Sequence, residues 1–144
     1  MTAMPTKMFR HQNGFSLLEA LIALVIVSLG MLGIAGIIAN SLKVNQGAQI
    51  RSQAAWLAHD IIDSMRANRA SANSYDGADC DAAPPGGIAG DDIANWCASL
   101  AATLPGGTGT VTSAGNVVTV TVQWDDSRAA GGSAEQQFVV ETQL

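Results

Sequence analysis

The chain has 144 residues and a net charge of −5, enough for one domain and, once its apolar N-terminal run is set aside, only a modest core. After Arg69, nine acids (Asp76, Asp79, Asp81, Asp91, Asp92, Asp125, Asp126, Glu135, Glu141) stand against one base, Arg128, a balance that argues against a phosphate-contacting surface and direct nucleic-acid binding. After Gly14 the only histidine is His59, with no Cys or His at ligand spacing, and no nucleophile elbow, phosphate loop or C-x-x-C pair occurs, so no enzyme, metal or cofactor is expected.

The first element is an apolar helix. Leu17 to Ala39 is almost unbroken apolar sequence, long enough to cross about 30 Å of hydrocarbon. Lys7, Arg10 and His11 precede it. Such bases stay in the cytoplasm and send the C-terminal bulk across the membrane. Two ordinary readings compete. A secretory signal ending at Ala39-Asn40-Ser41 has too long an apolar region, and an uncleaved signal anchor leaves Glu19 without a reason. A carboxylate inside an apolar span costs about 2.5–3.5 kcal/mol at the bilayer centre. Near the edge of the run it either leans to the interface or needs a partner.

Gly14-Phe15-Ser16-Leu17-Leu18-Glu19, behind a short basic leader and ahead of a long apolar stretch, resembles the processing motif of type IV prepilins. The resemblance implies cleavage between Gly14 and Phe15 by a prepilin peptidase on the cytoplasmic face, and N-methylation of the new Phe15 amine. It also implies that Glu19 pairs with the N-terminal amine of a neighbouring subunit. An unpaired charge in an apolar bundle is costly, so Glu19 becomes a device that sets axial register. Gly14 lets the backbone approach the protease closely.

Helical sequence continues past Ala39. Ile50, Ala54, Leu57, Ile61 and Met65 share one face, widened by Ala58 and Ile62, which predicts an amphipathic half that packs under a globular domain. A helix from Phe15 to about Arg69 spans about 80 Å. Gly30, Gly33 and Gly36 are either close-packing residues or points of local softness. Arg66 and Arg69 suit a helix C-terminus. Leu57-Ala58-His59-Asp60, Ser64-Met65-Arg66-Ala67-Asn68-Arg69, Asn73-Ser74-Tyr75, Asp91-Asp92-Ile93-Ala94-Asn95-Trp96 and Leu104-Pro105-Gly106-Gly107 are similar to the PilV-type minor pilins of the type IV pilus modification protein family.

Residues 70–90 read as a loop. Asp91 is the expected N-cap of a short helix carrying Ile93, Trp96, Cys97, Leu100 and Leu104, with Trp96 as a core anchor, stopped by Pro105-Gly106-Gly107. Cys80 and Cys97 are free thiols in a cytosolic protein and a disulfide candidate beyond a membrane anchor. Strands follow: Thr110-Val111-Thr112, a turn at Ala114-Gly115-Asn116, then Val118, Val120, Val122 and Trp124 on one face, a loop over 125–133, and Phe138 with Val140. About three antiparallel strands are expected to lie on the helix face of Leu57, Ile61 and Met65.

The expectation is an α+β type IV pilin-like fold, with an apolar half-helix in the membrane packed, in its second half, on a small antiparallel sheet. Residues 1–14 are a leader, 15–69 the long helix with 17–39 as membrane span or filament core, and 70–144 a periplasmic domain. The resemblance implies a minor pilin of the inner membrane and surface pilus. It would help initiate pilus assembly and so support twitching motility and adhesion. Implied partners are other major and minor pilins through the N-terminal helix, the prepilin peptidase and methylase, and the inner-membrane assembly platform. A minor pseudopilin of a type II secretion system shares the N-terminal physics. An uncleaved, membrane-anchored periplasmic binding module is the reading from another class.

Overall fold

The computed structural model describes residues 14–144; the basic residues Lys7, Arg10 and His11 lie outside them. It divides into two compact units, one ending at Ile38 and one spanning Ala39–Leu144. Helix α1, Leu17–Ala67, contributes to both.

In the first unit every described residue is exposed. Leu21, Ile22, Leu24, Val25, Ile26, Leu29, Met31 and Leu32 all face outward. Water does not tolerate a helix that is apolar all round, which is the signature of a membrane span or a bundle interior. This stretch of α1 is long and apolar enough to cross a membrane, and none of it is buried against the chain itself. Helical structure runs unbroken through Gly30, Gly33 and Gly36.

In the second unit α1 becomes one-sided. Gly47, Ala54, Ala58, Ile61, Ile62 and Met65 are buried, while Ile50 and Leu57 pack at the margin of the same core. A 3-10 segment, Arg69–Tyr75, follows, then β1 (Ala78–Asp79), α2 (Ile88–Thr103), β2 (Thr108–Ala114), β3 (Val117–Trp124) and β4 (Gln136–Gln143). The four strands form one antiparallel sheet in sequence order. In β3 burial alternates, with Val118, Val120, Val122 and Trp124 inward, as a half-buried strand requires. Phe138 and Val140 on β4 face the same core. The expected α+β arrangement, a long N-terminal helix on a small antiparallel sheet, is therefore present.

Four details differ from the sequence reading. The sheet has a fourth strand, because the two residues of β1 pair with Val111 and Thr110. The stretch read as a loop over 70–90 also holds the 3-10 segment and the first turn of α2. That helix starts at Ile88 behind Gly87, not behind Asp91. Gly87 has φ 78°, a conformation that favours glycine, and the Asp91 N–H donates to the Gly87 carbonyl at 3.1 Å, so Asp91 lies one turn inside. Lastly, Arg66 lies in the last turn of α1, as expected of a helix-end cation, but its side chain and that of Arg69 also take partners distant in sequence. Arg66 donates to Asp63 Oδ1 at 2.9 Å and to Thr142 Oγ1 at 3.3 Å, and Arg69 donates to the Leu144 carbonyl at 2.8 Å.

Helix α2 is fixed to α1 by Trp96. Its indole N–H donates to the Leu57 carbonyl at 2.8 Å, and its ring lies over Gly109 of β2, where any Cβ would come within 2.5 Å of Trp96 Cη2. Trp96 is thus a core anchor, as its helical spacing predicted. Tyr75 is fully buried. Its hydroxyl donates to Asp92 on α2 and accepts from Asn68 Nδ2.

Candidate functional site

The residues singled out at the N-terminus occupy the start of α1. Gly14, Phe15 and Ser16 have no regular structure, and the helix begins at Leu17. Ser16 closes its end. The carbonyl of Ser16 accepts the Ala20 N–H at 3.1 Å, and its Oγ accepts the Leu18 N–H at 3.3 Å. One of the unpaired donors of the first turn is thereby satisfied.

Glu19 lies in that first turn, where a carboxylate meets the positive end of the helix dipole. Ser16-Leu17-Leu18-Glu19 also has the Ser-x-x-Glu spacing of a capping box, a signal the sequence reading passed over. Ser16 caps through the Leu18 N–H, one position short of the box's own Glu19 N–H, and the Glu19 side chain is exposed and open to a group from another molecule. Phe15 is 79% exposed. A Cβ built on Gly14 would meet nothing within 4 Å. The geometry brings Gly14, Phe15 and Glu19 together within one exposed turn and its approach.

The remaining candidates belong to the second unit. Cys80 and Cys97 are joined as a disulfide with a Cα–Cα distance of 5.4 Å. The bond ties the end of β1 to α2, and the Cys80 N–H also donates to the Gly109 carbonyl at 3.1 Å.

A feature not foreseen from sequence joins the β3–β4 loop to α1. The Asp126 side chain is 1% exposed, and neither carboxylate oxygen has a hydrogen-bond partner. Arg51 Nη2 lies 3.9 Å from Oδ2. Asp126 and Ala129 pack on Gly47. The sequence places Asp126 in the loop over 125–133, and nothing local to it marks the contact with Gly47. Among the described residues, no group of three or more His, Cys, Asp or Glu could hold a metal ion.

Comparison with known proteins gives one match at the N-terminus. No curated protein and no solved structure matches the chain. Residues 9–35 match the prokaryotic N-terminal methylation motif, which spans Gly14, Phe15, Glu19 and the apolar start of α1 and is the motif of prepilin-type proteins, the type IV pilins and pseudopilins.

Proposed function

We propose that this chain is a minor pilin, a filament subunit that helps initiate type IV pilus assembly and so supports twitching motility and adhesion. Residues 1–14 act as its leader, 15–69 as the long helix and 70–144 as a periplasmic domain. The chain sits in the inner membrane with residues 17–39 as its span and the disulfide-bearing domain outside the cytoplasm, until it enters the pilus. A prepilin peptidase cuts between Gly14 and Phe15, and the Phe15 amine is methylated. Glu19 then pairs with the corresponding amine of a neighbouring major or minor pilin on the inner-membrane assembly platform.

The observation that carries this reading is an apolar, fully exposed helical segment with an exposed acid in its first turn, inside the methylation motif. Proteins with this motif are structural subunits, not enzymes. The acid has a role to play only if a cation meets it in the apolar phase, because a leucine there would serve anchoring better.

N-terminal sequencing of the membrane-extracted chain tests the proposal. A mature protein beginning at methylated Phe15 is expected, and an intact Met1 or a start near Ser41 would remove it. Glu19→Leu subunits should be processed yet fail to support piliation. A deletion strain that keeps its pili but loses protein secretion would move the assignment to a minor pseudopilin.

A further inference from the structure

We infer that the outward face of α1 around Trp56 is a contact surface for a second copy of this chain, which docks its Leu42-Lys43-Val44 segment there. This contact rests on the filament-subunit reading and specifies one of its interfaces.

Trp56 is 80% exposed, although the core of its own domain lies on the opposite side of α1 at Ala54, Ala58 and Met65. A tryptophan displayed on an otherwise polar helix face is the residue type most enriched at the centres of protein interfaces. Trp56 stands as a ridge between two open grooves. One, of about 430 Å³, continues onto Leu57 and Thr103 and is mainly apolar. The other, of about 450 Å³, is lined by Ala55, His59, Asp60 and Asp63. Asp63 is already paired with Arg66, and His59 Nδ1 lies 2.7 Å from the Ala55 carbonyl. Asp60 has no ion-pair partner among the described residues.

The complement to this surface is a base flanked by apolar side chains. The chain itself carries one. Leu42 and Val44 are exposed, and Lys43 between them has no ion-pair partner among the described residues. Placing Lys43 of one copy beside Asp60 of the next lets the lysine stem cover the indole while its ammonium reaches the carboxylate. Lys43 and Asp60 are about 25 Å apart along a helix, so the two copies are staggered by that amount. The two surfaces are different patches of the same chain. Such a contact is head-to-tail, joining different patches of two copies.

The test uses the full chain in membranes, with two differently tagged copies. A benzoylphenylalanine photocrosslinker replaces Trp56 in one copy, and crosslinked peptides are mapped. Crosslinks to the segment around Lys43 of the other copy are expected. Asp60→Lys in the first copy should lower their yield about threefold, as for a surface ion pair, and Lys43→Asp in the second should restore it. Crosslinks confined to lipid, to the same chain or to other proteins would overturn the inference, as would a yield indifferent to both charge changes. N-terminal sequencing of the same sample separates the two proposals. A chain processed to Phe15 without the crosslink removes this contact alone. An unprocessed chain that still gives it keeps the contact and removes the filament reading.

Discussion

Substitution of Gly47 by alanine sets two opposing effects against each other. In an exposed helix the change stabilises by about 1 kcal/mol, because alanine restricts the unfolded chain and favours the helix. At position 47 the new methyl would lie 2.9 Å from Ala129 Cβ and 3.6–3.7 Å from the two oxygens of Asp126. The loop has little room to retreat. Asp126 N–H donates to the Ser133 carbonyl, Ala129 N–H to that of Asp126 and Gly132 N–H to that of Ala129, at 2.9, 2.9 and 3.1 Å. A Cβ on Gly132 would come within 1.8 Å of the Asp126 carbonyl, so the turn is already tight. Overpacking of this kind costs about 1–3 kcal/mol. The expected net effect of Gly47→Ala is destabilisation by about 1 kcal/mol, a fall in Tm of about 4–8 °C for a unit of this size. The assay is thermal unfolding of the detergent-solubilised chain, completed as a cycle with Ala129→Gly. Removing the Ala129 methyl should let the helix gain emerge, so the double variant is more stable than the sum of the singles predicts. A Gly47→Ala variant as stable as the parent or more so, or an additive cycle, would refute the close approach of loop and helix.

Three further outcomes follow from the second unit. Burial, reinforced by the hydrogen bond to Asp92, raises the pKa of Tyr75 above its ordinary 10.0. A raised pKa gives stability that is complete below the unfolded value and lost as pH rises through the folded one; Tm should therefore fall above about pH 10, and Tyr75→Phe should flatten that fall while lowering Tm at neutral pH. Replacing Cys80 and Cys97 together by serine should cost about 3 kcal/mol, read as a lower urea midpoint; a midpoint unchanged from the oxidised parent would show the bond to be idle. Trp96→Phe should cost about 2–4 kcal/mol through the lost indole donor to Leu57 and the void over Gly109; Gly109→Ala, severe alone, should be milder on that background, and strict additivity by denaturation would count against their contact.

Periodicity made most of the domain legible. The stripe of α1 from Ala54 to Met65 and the alternation of β3 are burial patterns written directly into residue spacing, and both describe the observed core. Positions that depend on partners distant in sequence were not legible. Arg66 is a helix-end cation as its position suggests, but nothing local points to its second partner, Thr142. The burial of Asp126 against α1 could not be read because Gly47 lies far from it in the chain. The start of α2 was misplaced for a local reason: Asp91 is a good cap by residue type, but the Pro-Pro-Gly-Gly turn delivers Gly87 in a reversed conformation, and Gly90 fits against the Pro85 carbonyl, where a Cβ would come within 1.7 Å. At the N-terminus the motif was legible from six residues, and the serine cap beneath it from a spacing that the search for a protease site overlooked.

The short strand β1 leaves the two margins of the sheet unequal. On the β2 side, Ala78 and Asp79 pair with Val111 and Thr110, the Cys80 N–H takes the Gly109 carbonyl, and the Asp76 carboxylate accepts the Ser113 N–H at 2.6 Å. Little of that margin remains free to recruit another strand. On the far side β4 has no strand beyond it among the described residues, and its outward residues include Gln137, Val139, Glu141 and Gln143. Any extension of this sheet by a foreign strand is therefore one-directional, through β4, where Glu141 supplies a charge of the kind that discourages indiscriminate edge pairing.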